Sequence, residues 1–201
     1  MSSEKSKKPE IIISVANQTH YPYIDQICKA IDAEAQQKDK GIARRTPEYI
    51  RQKMIESKAI IALTREGEIA GFCYVEAWGK DKNFIANSGL FVVPQFRELG
   101  LGKMIKQAAF NHSRDKFPTA KIFGLTTSPA VMKINNQLGY RPVTYDQLTD
   151  DTAFWDGCKT CANYPILNAK NYRNCLCAAM LFDPAEKEEE HKNEEKSRIS
   201  V

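Results

Sequence analysis

Leu90-Phe-Val-Val-Pro-Gln-Phe-Arg-Glu-Leu-Gly-Leu-Gly-Lys-Met-Ile105 is the stretch that decides how this chain is read. Leu90 to Val93 is an apolar run of the buried-strand type, Pro94 ends it, and Arg97-x-x-Gly100-x-Gly102 leads into a helical pattern from Leu101 to Phe110. A strand, a glycine-containing turn and a helix start together make an anion site. The first amides of a helix have no carbonyl partner within it, and the helix dipole adds partial positive charge there. Gly100 and Gly102 let the backbone approach a phosphate closely. The pattern is neither a Walker A loop nor the dinucleotide Gly-x-Gly-x-x-Gly, because its glycines are differently spaced and ordered.

Outward from this stretch, the periodicities alternate. Ile11 to Val15 is expected to be a first strand. Ile24, Ile27, Cys28 and Ile31 recur at helical spacing between Tyr23 and Ala35. Thr46-Pro47-Glu48 is a helix start, with Thr as N-cap and Pro in the first turn, and that helix is expected to run to Glu56. Ala59 to Thr64 and Glu68 to Trp78 read as a strand pair about the turn Arg65-Glu-Gly67. Phe84 to Val93 and Ala120 to Thr126 are further strands, and Pro129 to Leu138 is a helix closed by Gly139. Tyr140 to Tyr145 and Cys175 to Phe182 complete the series. The order β-α-α-β-β-β-α-β-α-β-β indicates an α/β sandwich with a mixed sheet.

The 201 residues suffice for one substantial core. Residues 11–184 read as that domain, between polar tails at 1–10 and 185–201 that are expected to be disordered. No apolar run approaches the ~20 residues that span a bilayer, and no signal segment follows the N-terminal lysines. No membrane role and a cytoplasmic location are therefore expected. The net charge of +4 suits an anionic small ligand, and no Lys/Arg block argues for nucleic acid.

Val-x-Pro-x-x-Arg-x-x-Gly-x-Gly after a strand resembles the acetyl-CoA pyrophosphate loop of the GNAT N-acetyltransferases, and the order of elements is also theirs. The resemblance implies acetyl-CoA as acyl donor and two central parallel strands, ending at Val93 and Thr126, that splay to admit it. It implies that Phe91, Val92 and Val93 meet the pantetheine arm as an added strand, with a backbone N–H at Val92 for the developing oxyanion. It implies that Phe96, Arg97, Glu98, Leu99, Gly100, Leu101, Gly102 and Lys103 cradle the pyrophosphate.

Three further segments are similar to the acetyltransferase domain of bacterial N-acetylglutamate synthases: Lys40-Gly-Ile-Ala-Arg-Arg-Thr46, Lys121-Ile-Phe-Gly-Leu-Thr-Thr127 and Gly139-Tyr-Arg-Pro-Val143. This implies a small amino acid as acceptor, with glutamate a candidate, and a role in arginine biosynthesis. The implied acceptor site holds Ile42, Arg44, Arg45, Thr127 and Ser128, with Arg44 favoured as the guanidinium that forks onto a carboxylate. Two departures stand out. Ser128 and Leu138 occupy positions where that group often carries Arg. Its amino-acid-kinase domain is also absent from the 201 residues, so an arginine feedback site is expected to be missing.

The proton-handling residues are less well matched. Many GNAT enzymes carry a Tyr where this chain has Asn135, which can hydrogen-bond the sulfur but cannot serve as its acid. No carboxylate sits midway along Ile85 to Val93, which leaves Glu76 on the preceding strand as the candidate base. Cys158-x-x-Cys161 and Cys175-x-Cys177 are candidate Zn²⁺ ligands, or alternatively plain thiols; Cys28 and Cys73 read as core. The segment from Thr152 to Arg173 exceeds the usual final hairpin of the family and is expected to cover the acceptor pocket or to form a homodimer contact. Two alternatives stay open: an acetyltransferase for a polyamine, peptide or protein amine, and a catalytically weak CoA-binding module, stapled by metal.

Overall fold

The computed structural model describes residues 9–37 and 41–189. Residues 1–8, 38–40 and 190–201, which carry most of both expected tails and Lys40, lie outside the described residues. The chain runs β1 (Ile11–Val15), α1 (Ile24–Ala35), α2 (Pro47–Ile55), β2 (Ala59–Thr64), β3 (Ile69–Trp78), β4 (Phe84–Val92), α3 (Leu101–Lys116), β5 (Lys121–Thr126), α4 (Pro129–Gln137), β6 (Arg141–Val143), α5 (Thr152–Asp156), α6 (Tyr164–Ala169) and β7 (Ala178–Phe182). Thr46 accepts from the Tyr49 amide as the N-cap of α2, with Pro47 in its first turn, as the sequence pattern requires.

Seven strands form one sheet in the order β1-β2-β3-β4-β5-β7-β6, and β4–β5 is its single parallel pair. That pair is short. It holds from Phe84↔Lys121 to Ala86↔Phe123 and then stops, although β4 continues to Val92 and β5 to Thr126. The strands part because each is committed on its other edge: β4 stays paired with β3 to Val92, and β5 with β7 to Thr126. On β4, Gly89 and Leu90 together oppose Cys73 as a bulge. Gly89 sits there at φ +65, packed on the Tyr74 ring, a place only glycine takes without strain.

The two faces are covered differently. α3 lays Leu101, Ile105 and Ala109 on Ile60, Val75, Ile85 and Ile122. α1 and α2 lay Ile27, Ile31, Ile50 and Met54 on Ile61 and Phe72. Burying each such side chain stabilises the fold by roughly 1.5–3 kcal/mol. A third cluster seats Trp155 and Leu167 of the 152–173 segment on Phe123, Tyr145 and Leu181.

Three expectations are corrected. Tyr140 to Tyr145 contracts to Arg141–Val143, because Tyr140 and Tyr145 turn into the core. The last strand starts at Ala178, so Cys175 and Cys177 precede it in a loop and are not strand residues. Residues 184–189 are helical, held where Glu186 accepts from both Arg141 Nε and Nη2, at 2.8 and 2.6 Å. Among the described residues no helix is long and apolar enough to cross a membrane.

Candidate active site

The gap between β4 and β5 opens into a cleft of about 760 Å³ that runs from Glu34, Arg97 and Gly102 at one end to Arg45, Tyr49, Cys158 and Cys175 at the other. Its floor is strand edge. Val93 N–H is bonded to Ala70 O at 2.9 Å, so the alternation of an extended strand turns the Val92 N–H to the opposite edge, into the gap. The Val92 carbonyl on that edge accepts from Arg97 Nε at 3.0 Å. Arg97 Nη2 reaches on to Glu34 Oε1 of α1 at 2.5 Å, so this side chain bridges the two walls of the cleft.

The turn after β4 has the shape of an anion cradle. Glu98 (φ 69) and Gly100 (φ 75) are both left-handed, and Gly100 is the N-cap of α3 with no side-chain cap. Phe96, Arg97 and Lys103 amides already donate to Val93, Pro94 and Gly100 carbonyls. The cradle therefore narrows from the expected Phe96 to Lys103 to the amides of Glu98 to Gly102. Phe96 and Leu101 side chains are buried and Leu99 packs against the core, so those residues have only backbone to give. Lys103 is exposed, and both it and Val93 lie outside the cleft lining. Gly102 faces the cleft with ordinary clearance: a Cβ added there would lie 3.6 Å from Val92 Cγ2. The unpaired edge of β4 and this cradle fit a pantetheine diphosphate.

At the other end, Ile42, Arg44, Arg45, Thr127 and Ser128 all line the cleft. Arg44 is exposed at the rim. Arg45 is the guanidinium that is held: Nε donates to Tyr74 OH at 2.8 Å, Nη1 donates to Arg44 O at 2.8 Å, and the group lies 5.1 Å from the Tyr49 ring centroid. No carboxylate is among its partners in the described residues. Ser128 Oγ is used as the N-cap of α4, accepting from Val131 N, and Thr127 Oγ1 accepts from Gly41 N, both at 3.4 Å.

The proton-handling candidates come out otherwise than the spacing suggested. Glu76 lines the cleft but is clamped: Lys53 pairs with one carboxylate oxygen, Lys58 with the other at 3.2 Å, and Tyr49 OH donates to it at 3.1 Å. Both of its oxygens are thus already taken up by Lys53, Lys58 and Tyr49. Asn135 is buried behind the cleft lining, its Nδ2 3.6 Å from Met180 Sδ. The four late cysteines gather at the Arg45 end of the cleft, but no three metal-ligating groups are placed to hold an ion among the described residues. The zinc expectation is therefore dropped. The thiols bond locally, Cys175 Sγ to Tyr145 OH at 2.8 Å and Cys161 Sγ to the Asn163 amide at 3.4 Å. Cys175 is drawn down to about 6 by the Cys177 thiol and then by Tyr145, whereas burial pushes Cys158 up to about 11.

One cleft residue has no counterpart in the sequence reading. Lys106 on α3 is 2% exposed, and burial lowers it to about 8. The signal was present, since Lys106 lies four residues after Gly102 and three before Ala109, on the buried face of the helix.

The family model for the acetyltransferase (GNAT) family matches residues 29–133, more than half of the chain, and the chain belongs to that family. Among solved structures it is similar to N-acetylglutamate synthase from Neisseria gonorrhoeae complexed with coenzyme A and N-acetyl-glutamate, at TM-score 0.62 and 17% identity. That match covers 88% of this chain and 36% of the synthase, so the chain spans about a third of that protein's length. It is similar to Rv2747 from Mycobacterium tuberculosis in complex with CoA and NLQ, at TM-score 0.61 and 13% identity over 86% of this chain and 98% of that one. A phosphinothricin acetyltransferase from Sinorhizobium meliloti in complex with AcCoA matches at TM-score 0.57 and 12% identity, over 86% and 88% of the two chains. At these identities the likeness is one of fold. No curated protein matches the chain in sequence.

Proposed function

We propose that this chain moves an acetyl group from acetyl-CoA to the amine of a small carboxylate-bearing acceptor, an amino acid of the glutamate type. The observation that carries the reading is the Arg45 guanidinium, which ends in the cleft at the far end from the phosphate cradle with two phenols and a carbonyl, and no carboxylate, as partners among the described residues. A planar fork so placed suits an incoming carboxylate. Arg45 takes this role in preference to Arg44, which stays at the rim. Cradle amides bind the diphosphate, the β4 edge aligns the pantetheine, and the Val92 N–H meets the oxygen on which charge develops. The solved structures it resembles, one complexed with coenzyme A and N-acetyl-glutamate and one with AcCoA, support acetyl-CoA as the donor and make an acidic amino acid a reasonable acceptor to test. An N-acetylglutamate product would place the chain in arginine biosynthesis.

A thiol-release assay with acetyl-CoA against a panel of amino acids, a polyamine and a lysine peptide tests this. Turnover with acidic amino acids and none with the polyamine or peptide is expected. Preference for the polyamine or peptide would overturn the acceptor class; no turnover with any amine would overturn the enzymatic reading.

A further inference from the structure

We infer that Lys106 is the acid that protonates the CoA sulfur as it departs. This rests on the acetyltransferase reading above. Lys106 Nζ stands where β4 and β5 part: it, Asn135 Nδ2 and Asn87 O each lie 3.9 Å from where a Cβ on Gly124 would sit. An arm that begins at the cradle and follows the open edge of β4 ends at this apex, because the strands close again at Ala86 and Phe123. The glycine leaves the space beside the amine open.

Among the described residues no counter-ion accounts for a lysine here. Its neighbours are the Tyr140 ring, a cation–π contact with the centroid 5.4 Å away, and the Cys73 thiol of β3. Burial pushes Cys73 up to about 11 and Tyr140 well above its usual range, so both are neutral where the amine titrates. The facing groups on β4, β5 and α4 are Asn87, Gly124 and Asn135, none of them titratable. Lys106 has no hydrogen bond or ion pair among the described residues, and Asn135, the other side chain facing Gly124, has its Oδ1 buried without a hydrogen-bond partner. A buried charge with no counter-ion destabilises a core that methionine would fill better. A thiolate beside it is the missing counter-charge.

In the step, the acceptor nitrogen bonds to the acetyl carbon, the carbon–sulfur bond breaks, and its electron pair stays on sulfur. Lys106 passes a proton to that sulfur and becomes a neutral amine. It is recharged by the proton that the acceptor nitrogen sheds to solvent. Of the other cleft groups, Tyr49 is driven far upward by burial and Glu76 is held by two lysines, so neither competes.

The test compares wild type, Lys106→Met and Lys106→Arg. The first readout needs no turnover: the thiolate absorbance of enzyme-bound CoA is titrated against desulfo-CoA as blank. The bound thiol should ionise at least about one pH unit lower in wild type than in Lys106→Met. Equal values would overturn the proposal whether or not the chain is an acetyltransferase. The second readout is the pH profile of kcat. Wild type should lose activity above pH about 8 as the amine deprotonates. Lys106→Met should lose that alkaline limb along with roughly 100-fold in kcat, and Lys106→Arg should move the limb upward. CoA affinity should stay within about threefold, and the melting temperature of Lys106→Met should rise. An unchanged alkaline limb in Lys106→Met, collapse of CoA binding, or an acetyl group found on Lys106 of wild type by mass spectrometry would each overturn it. If no amine is acetylated but the thiol shift is present, the acetyltransferase reading falls and the contact between lysine and sulfur stands.

Discussion

At the proposed donor end of the cleft the groups on offer are backbone amides and carbonyls within one short stretch, Val92 to Gly102. At the proposed acceptor end they are side chains drawn from loop 41–46, from the segment 157–177 that contains α6, and from strands β3 and β5. Backbone binding depends on local conformation, which a strand, two left-handed residues and a helix start encode in consecutive letters. Side-chain binding depends on which distant segments meet. Gly41 illustrates the point: a Cβ there would collide with Cys177 Sγ, so the loop that carries Arg45 lies directly on the cysteine segment. The donor end is thus robust to most side-chain changes and sensitive to charge, while the acceptor end should be tunable one side chain at a time.

The largest effect should come from charging the cradle. Gly102→Glu has room for its Cβ but sets a carboxylate beside the diphosphate. CoA affinity measured by calorimetry should fall by roughly 100-fold, about 2.8 kcal/mol. An unchanged affinity would break the assignment of the donor end. Arg45→Met should raise the acceptor KM by roughly 10- to 100-fold through loss of a charged hydrogen-bond donor, with CoA affinity intact. If Arg44→Met does this instead, the comparison keeps its form but the rim residue is the reader.

Glu76→Gln tests whether that carboxylate belongs to the site or to its support. Removing it leaves Lys53, 5% exposed, without its main counter-ion, and should cost on the order of 3 kcal/mol in denaturant unfolding. Turnover per folded molecule should change by less than roughly tenfold; a loss of several hundredfold would restore Glu76 as the base. The smallest effect concerns the cysteines. Iodoacetamide near pH 7 should label Cys175 first, since its thiol is drawn down to about 6, and Cys158, pushed up to about 11, slowly. Saturating acceptor should slow the labelling a few-fold. Equal labelling of the two thiols, read by mass spectrometry, would break the assignment of Cys175 as the activated one.

Much of the fold is visible in periodicity. Ile24, Ile27, Cys28 and Ile31 at helical spacing became the buried face of α1, and the Thr46-Pro47 signal became the start of α2. The segment after Thr152 is visible in the sequence as an excess over the family's hairpin, but its form is not. Its two short helices have little periodicity to display, and they are fixed by Trp155 and Leu167 sinking into a cluster built by β5 and β7. Cys175-x-Cys177 looked like strand because it continues an apolar run; Tyr145, bonded to both Cys175 Sγ and the Cys177 carbonyl at 2.8 Å, holds that stretch off the ladder.

What the sequence alone determined is the local geometry of the proposed donor half: a strand ended by Pro94, a turn permissive for left-handed backbone, and a helix start. Those are local properties, and Arg97-x-x-Gly100-x-Gly102 contains them all. Only the tertiary structure decided the rest. It held Arg45 in place of Arg44, paired Glu76 with lysines from α2 and the loop after it, and left Lys106 without a counter-ion among the described residues where two strands part. A side chain's charge and proton affinity follow from what surrounds it in space, and neighbours brought together from distant parts of the chain leave no mark on the letters next to it.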